Sequence, residues 1–279
     1  MIQKRKRSIS IFIPISILSD VPSLFEKTVK VGQIARAASI FRVDRITIYR
    51  DSSSANREDA PLLRDLLSYA ETPQYLRRRM FPLSRNLKYA GLIPPLRTPH
   101  HPLESTKSPY REGFVLKSGG AVSIVDVGLR RPVECPSTLP VNRRVTLKLV
   151  GDSWLPSSKE EVPYYWGYDV ILDFKGLAQI LSSHPYSYDL VVATSRLGSP
   201  LASVAADLRR ALSEDNRIAL LFGSPAEGLH EILKREGARI EDLADFVVNT
   251  APDQGTATLR TEEAVMISLA ALSSIEYTQ

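Results

Sequence analysis

The sequence predicts an α/β fold: a parallel sheet covered by helices and interrupted by a small antiparallel β-barrel. Three observations carry that expectation. Residues 8–75 and 166–275 alternate short apolar runs with amphipathic segments, the texture of strands and helices in a sheet buried on both faces. Residues 92–163 change texture, with prolines from Pro94-Pro95 to Pro163 separating short β-like pieces. Charge changes there too: the chain's net charge is +5, and residues 106–150 hold eight basic residues against three acidic ones. The expected organisation is a discontinuous α/β domain, 1–95 and 164–279, with a β insertion at 96–163.

The elements follow in order. "SISIFIPISI" is apolar and β-branched. It follows Lys4-Arg5-Lys6-Arg7, but its alternation, its Ser and Pro, and the lack of a small-residue cleavage site favour a strand over an export signal. Residues 20–41 place Leu24, Thr28, Val31, Ala35 and Ala38 on one helical face, with Asp20 as the expected N-cap. "VDRITIY" is the second strand and residues 56–70 the second helix. In the insertion, "REGFVLKS", "AVSIVDVG", "RRPVEC" and "RRVTLKLVGD" read as strands, with a turn at "SGG" between the first two. Then "YDVILDF", "DLVVATS", "RIALLFGS" and "DFVVNTA" read as strands, each followed by a helical segment, the last at residues 261–275.

Several chemistries are excluded. No apolar run reaches the roughly 18 residues of a membrane span. Cys135 is the only cysteine, which rules out an intramolecular disulfide and fits a reducing compartment, the cytoplasm. The four histidines, His100, His101, His184 and His230, form no zincin spacing, so no metal site is expected. "GSPAEGL" lacks the Gly-Lys-Ser/Thr of a P-loop and the glycine spacing of a dinucleotide fingerprint, and no G-x-S-x-G elbow exists.

What remains is a set of three strand ends, "VVATSRLGSP" (191–200), "LLFGSPAEGL" (220–229) and "VVNTAPDQGTATLRTEEAV" (247–265). Each ends in small residues that expose backbone groups, which can read an adenine edge while apolar ends stack on its face. With no triphosphate grip, an adenosyl ligand without phosphates is expected, and S-adenosylmethionine fits.

These stretches resemble SPOUT-class methyltransferases, whose C-terminal motifs form a trefoil knot around S-adenosylmethionine. "RIALLFGSPAEGL" resembles the second motif of the class, "PDQGTATLRTEEA" (252–264) the third, and "KVGQIARAASIFRVDRITIYRD" (30–51) the first motif of its ribose-methylating branch. Gly32 and Arg36 occupy that motif's Gly and Arg positions, whereas Lys30, Thr258 and Arg260 depart from Asn, Ser and Asn. The nearer likeness is to the archaeal and eukaryotic SPOUT family of RNA methyltransferases with an inserted OB-like barrel, through "YAGLIPPLRTPHHP", "YYWGYDVI" and "VVATSRLGSPL".

The resemblance implies a homodimeric, S-adenosylmethionine-dependent RNA methyltransferase, acting on ribosomal rather than transfer RNA. The acceptor is a base nitrogen such as uridine N3 or a ribose 2′-hydroxyl, and the departures favour the base. The cofactor-binding set is Thr194, Leu221, Phe222, Gly223, Thr250, Pro252, Gly255, Thr258 and Leu259. Gly223 and Gly255 are expected where a side chain would block the ligand. Arg36 and Thr258 are the catalytic candidates; a guanidinium suits orienting phosphate or stabilising an anion, not proton abstraction. RNA contacts are expected from Arg111, Lys117, Arg130, Arg131, Arg143 and Arg144, since a basic groove neutralises phosphates. The alternatives are an inactive RNA-binding or ribosome-assembly protein on the same frame, and an enzyme for a small adenosine metabolite.

Overall fold

In the computed structural model, which describes residues 2–52, 58–183, 187–214 and 217–277, the chain forms two compact units. One comprises Lys6–Ser68, Tyr89–Pro94 and Tyr168–Gln279; the other comprises Met1–Arg5, Tyr69–Lys88 and Pro95–Gly167.

The first unit is built on a six-stranded sheet, and all its ladders are parallel. Its strands are β1 (Ser8–Pro14), β2 (Arg45–Tyr49), β8 (Asp169–Asp173), β9 (Leu190–Pro200), β10 (Arg217–Leu221) and β11 (Phe246–Asn249), in spatial order β11-β9-β10-β1-β2-β8. β1 is central because it can bury both faces: Ile11, Phe12 and Ile13 are fully buried in succession. It pairs in register with both neighbours, Ile11 opposite Leu220 on one side and Ile46 on the other. One face is covered by α4 (Leu177–Leu181) and α6 (Leu229–Arg235), whose Leu177, Ile180, Leu229, Ile232 and Leu233 pack with Phe12, Tyr49, Ala193 and Leu221. α1 (Leu24–Ile40) packs on α7 (Thr261–Tyr277), and α2 (Asp59–Glu71) and α5 (Leu201–Glu214) complete the helices that join the strands.

α1 corrects the expected cap. Ser23 is the N-cap; its hydroxyl accepts from the Glu26 amide at 3.1 Å, and the Glu26 carboxylate accepts from the Ser23 amide at 3.2 Å, a reciprocal capping box. Asp20 has another task. Its carboxylate accepts from the buried Lys30 ammonium at 2.6 and 2.8 Å, and Glu262, in the first turn of α7, lies 3.1 Å from the same ammonium. A buried amine must be paired to stay charged, so this triad pins α1 to the start of α7.

The second unit holds a curled antiparallel sheet in the order β5-β4-β3-β6-β7, from β3 (Tyr110–Gly119), β4 (Val122–Asp126), β5 (Val133–Cys135), β6 (Arg144–Val150) and β7 (Ser153–Ser157). The edge strands β5 and β7 approach each other, although no ladder joins them among the described residues. Val115, Val125, Val127, Cys135, Leu147 and Trp154 fill the core. β7 was not expected from sequence: Pro156 and two turn residues, Gly151 and Asp152, obscure a short strand that pairs with β6.

Charge is buried in this unit as well. The Arg144 guanidinium forks to the Glu71 carboxylate (2.6 and 3.0 Å) and to Glu112 (2.7 Å), and Glu112 also accepts from Thr146 at 2.9 Å and from the Trp166 indole. His100, fully buried, places Nε2 3.3 Å from the Glu71 carboxylate. Burial alone would raise the Glu71 carboxyl, but the Arg144 charge and the hydrogen bonds from His100 and Arg144 outweigh it and hold it well below its usual value of 4.5.

A carboxyl depressed on folding contributes stability that is present above its unfolded pKa and lost as pH falls through its folded value. Arg144→Met removes the partner and leaves two buried carboxylates uncompensated, at a cost of about 3–5 kcal/mol in urea unfolding at pH 7. Below pH 4.5 the native protein is expected to lose stability steadily, and the variant less so, because its Glu71 no longer gains from ionisation. Equal slopes for the two proteins would remove Glu71 from the acid response.

Candidate functional site

The carboxyl ends of β9, β10 and β11 surround a cavity of about 370 Å³. In a parallel sheet this is where ligands sit when neighbouring strands send their connections in opposite directions, as β9 does here between β10 and β11.

The first wall comes from an irregularity. β11 pairs Val247 with Ala193 and then Val248 with Ser199, so residues 194–198 leave the ladder between two consecutive partners. Thr194, Ser195, Arg196 and Leu197 thereby line the cavity. The ladder can resume because Gly198 has no side chain: a Cβ there would lie 2.7 Å from the Val247 carbonyl oxygen. The excursion is secured by polar bonds. Thr194 Oγ1 donates to the Leu221 carbonyl at 2.8 Å, Asn249 Nδ2 to the Arg196 carbonyl at 3.1 Å, and the Arg196 guanidinium to the Ala257 carbonyl at 2.8 Å.

The second wall is the loop after β10. Ser224 N donates to the Glu227 carbonyl at 2.9 Å, and Glu227 N donates back to Ser224 Oγ at 3.0 Å, closing a tight turn over Pro225 and Ala226. Gly223 allows that closure, since a Cβ would stand 3.0 Å from the Glu227 oxygen and 3.1 Å from Gly228 Cα. Glu227 is tied to Arg235 at 2.7 Å, and that bond draws its carboxyl below the usual range. Beneath the loop, Tyr49 OH donates to the Phe222 carbonyl at 2.8 Å.

The third wall is residues 249–264 at the entry to α7. Thr250 and Ser268 share a hydroxyl hydrogen bond of 2.8 Å, and Arg260 N donates to Glu263 Oε2 at 2.9 Å, capping the helix. Thr261, the first residue of α7, directs its hydroxyl toward the Gly223 carbonyl at 3.4 Å and joins the second and third walls.

Of the residues expected from sequence, Thr194, Phe222, Gly223, Thr250, Thr258 and Leu259 line the cavity together. Leu221 does not: its side chain is wholly buried in the core, and its backbone oxygen is what holds Thr194. Pro252 and Gly255 are exposed and outside the lining, and Gly255 has open space where a Cβ would stand. Arg36 is half-buried on α1 and outside the lining. Ser195, Arg196, Asn249 and His230 line it and were missed; only the polar "TSRLG" run after an apolar strand hinted at the first two.

The expected RNA set divides in two. Lys117 is exposed on β3, and Arg130, Arg131 and Arg143 are exposed on loops that connect the strands of the curled sheet. Arg111 is a correction: only 1% exposed, it donates to the carbonyls of Leu103, Thr106 and Val127 and is a structural clamp. Arg144 is another, since Glu71 and Glu112 occupy its guanidinium. Among the described residues no group of His, Cys, Asp and Glu is placed to hold a metal ion, and no helix is long and apolar enough to cross a membrane. His184 lies outside the described residues.

Residues 8–272 match the model of a family described as "Putative RNA methyltransferase". The 28S rRNA (uridine-N(3))-methyltransferase of Mus musculus is 34% identical over 305 residues, covering 97% of this chain and 77% of that protein. The Homo sapiens protein of the same name is 35% identical over 302 residues, covering 96% of this chain and 78% of its own length. The Drosophila melanogaster protein so named is 35% identical over 304 residues, 95% of this chain and 61% of its own length.

The geometry of the excursion is testable without a ligand. Gly198→Ala forces backbone apart where β9 meets β11 and is expected to cost about 1–3 kcal/mol in denaturant unfolding. Gly255→Ala, with nothing within 4 Å of the new methyl, should leave the midpoint in place.

Proposed function

This chain belongs to the family described as "Putative RNA methyltransferase", and from that premise we propose that it methylates ribosomal RNA at uridine N3, with S-adenosylmethionine as the donor. The observation that carries the reading is the convergence of three separate strand ends, after β9, β10 and β11, on one cavity at the end of a parallel sheet. Its size suits a nucleoside-sized ligand, and its lining suits an adenosyl group, with backbone of the 223–228 and 250–259 loops beside Phe222, Leu197 and Leu259. Among the described lining residues Arg196 is the only Lys or Arg, and its guanidinium donates to the Ala257 carbonyl, a lining that suits a ligand without a triphosphate.

Bound there, the cofactor supplies a methyl group on a positively charged sulfur. Phe222, Gly223, Thr250, Thr258 and Leu259 hold and orient it, while Leu221, Pro252 and Gly255 act on the loops from outside the lining. Arg36 serves the acceptor side, orienting phosphate or stabilising the deprotonated base. Lys117, Arg130, Arg131 and Arg143 hold RNA through its phosphates. The chain works as a homodimer in the cytoplasm; the exposed Phe25 and Ile40 of α1 and the single buried cysteine support that part of the proposal.

Calorimetric titration with S-adenosylmethionine is expected to give one site per chain in the native protein and none in Gly223→Val, whose branched side chain collides with the Glu227–Leu229 backbone. Saturable binding that survives the substitution would move the cofactor elsewhere. With ribosomal RNA, the triple variant Arg130→Ala/Arg131→Ala/Arg143→Ala is expected to flatten the slope of log affinity against log salt by about 0.7 per lost contact. An unchanged slope would take the curled sheet out of RNA binding. Arg36→Ala should bind S-adenosylmethionine and fail to methylate; full turnover would end its assignment.

A further inference from the structure

Methylating an imide nitrogen requires its proton to leave, and the cavity holds few groups that can accept one. Among the described residues, the ionisable side chains of its lining are Arg196, Glu227, His230 and Glu231. A guanidinium is no base at neutral pH, and carboxylates are weak ones. Glu227 is further committed to Arg235. An imidazole is the side chain suited to proton transfer near neutrality.

His230 sits in the first turn of α6 with 31% of its side chain exposed. Its Nδ1 faces Ser195 Oγ at 3.5 Å, and its Nε2 faces Glu241 Oε1 at 3.9 Å. Ser195 Oγ already accepts the Leu197 amide at 3.1 Å, so its own hydrogen is available for Nδ1. That arrangement requires the tautomer with the proton on Nε2, facing Glu241. The Glu241 carboxyl is drawn down by its own backbone amide first and by Arg239 and His230 next, and stays an anion. The charged groups about the imidazole are therefore Arg196 from the excursion of β9, Glu231 from its own helix, and Arg239 and Glu241 from the turn after α6.

We infer that Ser195, His230 and Glu241 form a proton relay at the cavity wall that removes the proton from the acceptor nitrogen. The inference rests on the methyltransferase reading above. As the nitrogen–hydrogen bond breaks, its proton passes to Ser195 Oγ while the hydroxyl's own proton passes to His230 Nδ1. The nitrogen lone pair forms the bond to the methyl carbon, and the pair of the old methyl–sulfur bond stays with the departing sulfur. Glu241 offsets the positive charge that forms on the imidazole. The separations of 3.5 and 3.9 Å are longer than formed hydrogen bonds, so the relay requires both to shorten when the acceptor base is in place. The order Ser–His–carboxylate is known by its geometry and not by its spacing in sequence.

Two measurements decide this. Nitrogen-15 spectra of the imidazoles, assigned with His230→Gln, are expected to show His230 with its proton on Nε2, and Glu241→Gln should weaken that preference. A proton on Nδ1 would overturn the relay whatever the enzyme's activity. In single-turnover methylation of unmodified ribosomal RNA transcript, His230→Ala should lose about 10²–10⁴-fold in rate and regain part of it with added imidazole. A native rate, or a loss that imidazole leaves untouched, would reduce His230 to packing. If the native protein binds S-adenosylmethionine and methylates no RNA, the methyltransferase reading fails separately, and the tautomer still decides whether the wall is built as described.

Discussion

The site depends on one backbone constraint: β11 must rejoin β9 after skipping residues 194–198. A parallel ladder tolerates that jump only if the chain returns close enough for hydrogen bonding. Gly198 makes the return possible by bringing its α-carbon against the Val247 carbonyl with no side chain between them. The excursion cannot be held by apolar packing, because it lies past the buried part of the sheet. It is held by hydrogen bonds instead, from Thr194 to Leu221, Asn249 to Arg196 and Arg196 to Ala257. Those bonds tie the end of each neighbouring strand to the next. A cavity wall and its attachment to two other walls thus come from the same five residues.

Buried charge has a different part in each unit. In the parallel-sheet unit, Lys30 joins Asp20 and Glu262 and fixes where α7 begins, and with it the Thr258–Thr261 stretch on the cavity's third wall. In the other unit, to which Glu71 belongs, Arg144 of β6 holds the carboxylates of Glu71 and of Glu112 on β3. Desolvating such groups costs as much as their attraction returns, so their contribution lies in penalising every arrangement that leaves one unpaired. That penalty selects a position for each helix end more sharply than apolar contact does.

The same physics explains which residues were read wrongly from the sequence. Arg111 and Arg144 count toward the basic excess of the insertion, yet one is sheathed in carbonyl groups and the other in carboxylates. A charge tally has no access to which partner a side chain meets: Glu112 and Glu71 lie 32 and 73 residues from Arg144, and Glu71 lies outside the β segment altogether. Asp20 has the right side chain for an N-cap, but Ser23 sits at the actual boundary with Glu26 three residues on, and Lys30 claims the aspartate. Leu221 belonged to the right motif and contributes through its carbonyl, because strand alternation turns its side chain into the core.

By itself the sequence determined the alternation of strands and helices, the separate antiparallel sheet, and the three glycine- and hydroxyl-rich strand ends. These follow from local periodicity and from residues that stop a strand, and both are written within about ten positions of where they act. Tertiary structure decided which of those ends meet, that β9 lies between β10 and β11, and that His230 lies between Ser195 and Glu241. Strand order and the 194–198 excursion arise from long-range pairing and from one close backbone approach at Gly198. Neither leaves a period in the chain, because the residues that enforce them are neighbours only once the sheet has formed.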